Sequence, residues 1–302
     1  MATSMRSIQK KRWGDLPAAF FFLFPSLVLI IIFCFYPMVE TIKLSFFQWN
    51  KVTTQPIFIG LENYVTLFKS DRFWNSIQVT FTYTFWVTAI SVIGGLILAV
   101  ILNQPRLVLT SFWRVLYFLP TITPTVAAAM VWILLFNPNY GFINTFLRNL
   151  DIAGPNWLSS TTWALPTVMS LGIWRRVGFT LIVYLAALQA VPKDYYESAS
   201  MDGANAWQTF RYITIPLVAP TTAMLVILGL IDSFNVFDSV LVMTRGGPSG
   251  ATEVLGQYLY SDAFTLFKMG LSSAIAVIIL IITASVTIFQ WRVVGLGSYE
   301  EQ

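Results

Sequence analysis

Six apolar stretches dominate this chain and leave it few ways to fold. They run about Leu16 to Tyr36, Ser76 to Leu102, Phe112 to Phe136, Trp163 to Leu188, Pro216 to Met243 and Met269 to Trp291. Each helical residue rises about 1.5 Å and a bilayer core is about 30 Å thick, so each stretch is long enough to cross it. None alternates polar and apolar residues as a strand would. The expectation is an all-α membrane protein built as a six-transmembrane-helix bundle. The charge content agrees: 11% of the 302 residues are charged, against about 25% in an ordinary soluble domain.

Composition also removes several kinds of chemistry. Histidine is absent and Cys34, inside the first stretch, is the single cysteine. Zinc clusters, haem ligation, intrachain disulfides and Cys/His catalysis are therefore excluded. The surplus of four positive charges is small and scattered along the chain, which argues against nucleic acid as a partner.

The basic residues serve topology instead. Arg6, Lys10, Lys11 and Arg12 precede the first stretch, which is too long, and too poor in cleavage signals, for a signal peptide and reads as an uncleaved anchor. Arg106 and Arg114, with no acid between them, join the second and third stretches. Both regions are assigned to the cytoplasm, and six crossings put both termini there. The expected layout is a cytoplasmic tail at 1–15, a membrane domain at 16–292 and a second cytoplasmic tail at 293–302. The outer segments carry Lys43, Lys51, Lys69, Arg72, Arg148, Arg245 and Lys268, so the bias is modest.

One cytoplasmic segment, residues 192–216, looks folded rather than merely connecting. Pro192 ends the fourth crossing, Asp194 and Glu197 have capping spacing, and Gly203 supplies a turn. Asn205 and Gln208 repeat the capping spacing, and Trp207 and Phe210 share a face of a second short helix before Pro216 opens the fifth crossing. Two readings fit these residues, an amphipathic helix lying on the membrane or a knob that docks a cytoplasmic partner.

Glu197, Ala199, Gly203, Ile213 and Pro216 match the spacing of the EAA loop, and the segment resembles that of permease subunits in ATP-binding-cassette carbohydrate importers of the maltose type. The Met201-Asp202-Gly203-Ala204 run fits the same family, while Ser198 and Ile215 replace the usual alanine and leucine conservatively. The stretches FIGLENYVTLF, GFINTFL, GPNWLSS and MTRGGP follow in the family's order. The resemblance implies a type I importer permease in a prokaryotic inner membrane, crossing it several times. Its implied partners are a second homologous permease, two ATPase subunits and an extracytoplasmic solute-binding protein. It also implies that Glu197, Ser198, Ala199, Asp202, Gly203, Ala204, Ile213 and Pro216 couple to the ATPase. No G-x-x-x-x-G-K-[ST] pattern occurs, so ATP and magnesium belong to the partner, and this chain is expected to bind no cofactor or metal and to be no enzyme.

A second polar anomaly lies inside the membrane. Arg175 and Arg176 fall halfway along the fourth crossing, where charges face a bundle interior or a wet cavity. The fifth crossing answers with Asp232, Ser233, Asn235 and Asp238. On a continuous helix Asp232, Asn235 and Ser239 would share one face. These groups are read either as ion pairs that fasten two helices or as the wall of a solute pathway. By resemblance, Arg175, Arg176, Phe179 and residues 232–236 fall where related sugar permeases place pathway residues. Trp174 and Phe179 offer rings against which a sugar can stack. Gly94, Gly95, Thr121, Thr123 and Pro124 are read first as packing and kinking positions and second as pathway lining.

These observations converge on the permease subunit of an ATP-driven importer for a sugar or sugar-like solute. An ion-coupled secondary transporter would also carry midplane Asp and Arg, but it has no use for an EAA-like loop and no inverted repeat is evident. A membrane-embedded enzyme would need a clustered catalytic set that the chain lacks.

Overall fold

The computed structural model describes residues 16–50, 55–104 and 108–294. The basic tail with Arg6, Lys10, Lys11 and Arg12, the loop residue Arg106, Lys51 and the last eight residues lie outside the described residues. Four helices are long and apolar enough to cross a membrane, and two bent pairs raise the number to six.

Helix α1 combines Leu16–Ile30, a π-turn at Ile31–Phe35 and Tyr36–Leu44. It continues past the expected end at Tyr36 to Leu44, and Pro37, which brings no N–H to the ladder, comes just after the π-turn. A two-stranded antiparallel ribbon of β1 (Phe47–Gln48) and β2 (Ile57–Phe58) and the short α2 (Glu62–Phe68) follow. The ribbon departs from an all-helical expectation. Next come α3 (Asp71–Leu102), α4 (Thr110–Ile122), α5 (Thr125–Leu135), α6 (Phe142–Arg148) and α7 (Ala164–Ala190). The remaining elements are α8 (Asp194–Met201), α9 (Ala206–Leu217), α10 (Ala219–Phe234), α11 (Asp238–Met243), α12 (Leu255–Tyr260) and α13 (Met269–Val294).

The third crossing is broken rather than kinked: α4 and α5 meet at 100°. Thr123 is extended, with φ −72° and ψ 131°, as a residue before proline prefers, and Pro124 has no N–H to continue the ladder. The fifth crossing is also discontinuous. Pro216 lies within α9 instead of opening the span, and α9 meets α10 at 64° around Val218, flanked by Pro216 and Pro220. Its far end stops at Phe234, because the Asn235 side-chain amide donates to the Ile231 carbonyl at 2.8 Å in competition with the backbone ladder. Asp238 and Ser239 therefore belong to a separate helix, α11, and the single face expected for Asp232, Asn235 and Ser239 does not exist.

Close packing centres on α3 and α7, with α10 against α3 and α4 against α7. Small residues allow it. A Cβ on Gly95 would strike the Thr180 side chain, and one on Gly178 would strike the Tyr117 carbonyl. Two of the apolar clusters lie along this seam. One joins Val79, Tyr83, Val168 and Leu171 to Val240 and Met243; the other joins Val92, Ala99, Leu181, Tyr184 and Leu188 to Val218 and Leu225. Arg175 and Arg176 sit between them in the sequence of α7.

Candidate functional site

A cavity of about 440 Å³ opens at this level, and both helix breaks contribute to its wall. Thr121 and Thr125 come from the α4–α5 break, and Asn235, Val236, Phe237 and Asp238 from the α10–α11 break. A broken helix can present turns and polar side chains at membrane depth because they line a cavity instead of lipid. The expected residues Arg175, Arg176, Phe179, Asp232, Ser233, Asn235 and Asp238 all line it. Trp174 does not. Its ring lies 4.7 Å from that of Trp132, whose indole N–H donates to Ser170 at 2.9 Å, so it packs α7 against α5.

The two arginines differ. Arg176 Nη1 donates to Asp232 Oδ2 at 2.7 Å, and its side chain is 8% exposed while that of Asp232 is 79% exposed. The pair is thus buried on its cationic side and open on its anionic side. Arg176 Nε and Nη2, and Arg175 Nε, are buried without a hydrogen-bond partner among the described residues. Among the described residues Arg175 has no carboxylate within salt-bridge distance, although its backbone carbonyl accepts from Thr121 Oγ1 at 3.0 Å, tying the end of α4 to α7. Thr121, read from sequence first as a packing residue and second as pathway lining, therefore does both.

Tyr83 on α3 was missed. It is buried and lines the cavity, with its hydroxyl beside Ser239 in the first turn of α11. Gly172 leaves the space for that hydroxyl. An aromatic in an apolar stretch reads as packing, and only the glycine one helix away hints at more.

The cytoplasm-assigned segment folds as two short helices about a tight turn. The α8 N-terminus has no side-chain cap; Lys193 occupies the capping position and Asp194 is the first helical residue, contrary to the capping role expected for Asp194. Asp194 and Glu197 instead lie in the first turn, where negative charge suits the helix dipole. Gly203 has φ +77°, which a side chain would strain, and nothing lies within 4 Å of its Cβ position. Asn205 and Gln208 form a complete capping box, with bonds of 2.8 and 2.9 Å. Trp207 and Phe210 share a face, their rings 5.8 Å apart. Ala199 is buried, while Met201, Trp207 and Tyr212 are exposed. Glu197, Ser198, Asp202, Ala204, Ile213 and Pro216 lie on these two helices and the turn between them.

A discontinuous helical bundle around a polar midmembrane cavity has the build of a transport protein. The chain belongs to the family described as binding-protein-dependent transport system inner membrane component, whose model matches residues 91–294. It is a permease of an ATP-binding-cassette importer located in the inner membrane, with its ATPase a separate subunit in such systems, and the ion-coupled alternative falls away. It is similar to a probable ABC transporter permease protein of Bacillus subtilis, 35% identical over 93% of this chain and 97% of that protein. It is similar as well to the trehalose/maltose transport system permease protein of Thermococcus litoralis, 31% identical over 94% of this chain and 96% of that one. Among solved structures, a bacterial alginate ABC transporter in complex with an alginate pentasaccharide-bound periplasmic protein has a chain that superposes with a TM-score of 0.81 at 25% identity, covering 93% of this chain and 94% of its own.

Proposed function

We propose that the cavity is this subunit's share of a translocation pathway for a neutral saccharide. One observation carries the reading: seven polar or aromatic residues, separated by up to 63 positions from Arg175 to Asp238, line one cavity in which two arginines stand against two aspartates. A balanced wall suits a solute that is rich in hydroxyls and has no net charge, with Phe179 offering an apolar face. The permease names of the trehalose/maltose relative and the alginate-bound transporter support the saccharide class.

In this reading the chain pairs with a second homologous permease and receives solute from an extracytoplasmic binding protein. Two ATPase subunits carry ATP and magnesium. The coupling body is the segment 192–216, with Glu197, Ser198, Ala199, Asp202, Gly203, Ala204, Ile213 and Pro216 docking the ATPase. Both termini lie in the cytoplasm, with tails at 1–15 and 293–302 around a membrane domain at 16–292. The self-capped α9 and the positive φ of Gly203 support a body that moves as one piece. ATP-dependent uptake of radiolabelled maltose and trehalose into proteoliposomes holding the assembled importer tests the reading. Gly203→Asp should abolish uptake while the chain stays folded and inserted; normal uptake by that variant would remove the docking role.

A further inference from the structure

Behind Asp232 three helices meet with little clearance. Gly229 on α10 precedes Asp232 by three residues, so the same turn carries both. A Cβ at Gly229 would lie 2.6 Å from Thr88 Cγ2, 3.1 Å from Thr88 Oγ1 and 3.2 Å from Arg176 Nη2. Glycine inside a helix is unfavourable, and no turn at this position asks for it. Its effect is spatial: the missing side chain leaves the slot in which the Arg176 guanidinium lies. That guanidinium has the α10 backbone beside Nη2 and the Asp232 carboxylate on Nη1 at 2.7 Å. Thr88, whose hydroxyl is 3.5 Å from that of Ser233, closes the slot from α3.

We propose that Gly229 is a positioning residue for the cavity. By leaving room for Arg176 Nη2 it sets where the arginine neutralises the Asp232 carboxylate, and so how that exposed acceptor meets a hydroxyl-bearing solute. The inference rests on the cavity being the solute pathway. A side chain at 229 displaces the guanidinium, leaves Asp232 less neutralised, and makes the cavity wall more negative.

The test reads that charge directly. Val236 is partly exposed, lines the cavity, and stands four residues from Asp232. In the assembled importer, Cys34→Ser with Val236→Cys places this chain's single thiol there, and its modification rates by a cationic and an anionic methanethiosulfonate reagent are compared. Thr88→Ala removes the two closest contacts and serves as the reference background. Adding Gly229→Ala should raise the cationic-to-anionic rate ratio about twofold, and Gly229→Val about fivefold, as local potential sets the encounter of charged reagents. A purely packing role would alter thermal stability and leave the ratio alone, so an unchanged ratio across the series overturns the proposal. Where the valine variant fails to assemble, the alanine variant decides. A parent thiol that reacts with neither reagent would sink the water-open pathway itself, a failure distinct from that of the glycine.

Discussion

Among the described residues two arginine sites pair with carboxylates, and they are built in opposite ways. Near the outer-assigned end of α3, Arg72 donates from Nε and Nη2 to Glu253 at 2.9 and 2.6 Å, and from Nη1 to Asp262 at 2.9 Å. Its guanidinium also lies 4.1 Å over the Tyr258 ring. All three nitrogens are used, and Asp262 is 1% exposed. At the cavity, Arg176 uses one nitrogen of three, and its acid faces open space. A buried charge network earns its place in a fold when its hydrogen bonds are complete. The Arg72 network is complete and fastens the segment after α11 to α3. The cavity pair is incomplete on the side that a solute can reach.

The comparison predicts that the same substitution has different consequences at the two sites. Arg72→Gln leaves Glu253 and Asp262 without their cation, and the loss should reach about 1–3 kcal/mol, below the cost at a fully buried pair because Arg72 is itself 36% exposed. Thermal unfolding of the purified chain in detergent would measure it. A variant as stable as the parent would mean that solvent or rearrangement satisfies those carboxylates, and the contrast between the sites would disappear.

At the cavity the expected order is reversed, with transport suffering more than the fold. Arg175→Gln removes a cation with no paired acid, so stability should stay within about 1 kcal/mol while maltose or trehalose uptake falls about tenfold. Arg176→Gln releases Asp232, which is already exposed, and should raise the KM for uptake more than it lowers the maximal rate. Equal destabilisation by the two changes, with normal uptake in the protein that remains folded, would assign both arginines to helix fastening.

How far these sites were legible depends on the distance over which each was written. The capping box of Asn205 and Gln208 is local, three residues apart, and the structure reproduces it. The cavity was legible as an anomaly, because charges in an apolar stretch must be accommodated, and the Arg176–Asp232 pair links two such stretches. The helix breaks were only half legible. Pro124 announces a kink but not a 100° turn, and the stop at Asn235 depends on one side-chain amide reaching back to Ile231. The Arg72 network was not legible at all. Its partners stand 181 and 190 positions away in the sequence, in the segment between the fifth and sixth crossings.

The smallest expected effect concerns acidity within the closed network. Burial pushes the Asp262 carboxyl above its ordinary value; the positive charges of Arg72 and Lys268 and the Arg72 hydrogen bond oppose the shift, and Glu253 adds to it. A raised native value means that the folded chain holds this proton more tightly than the unfolded chain does. The resulting stabilisation is fully present below the ordinary carboxylate range and is lost as pH rises through the raised value. Unfolding temperature should therefore decline with rising pH across that window. Asp262→Asn keeps an oxygen that can accept from Arg72 Nη1, so it should hold the network together while flattening this dependence. A pH profile identical in the parent and the variant would show that Asp262 stays ionised throughout. Arg72 would then overcome the cost of burial entirely, and the closed site would be stronger than its geometry alone suggests.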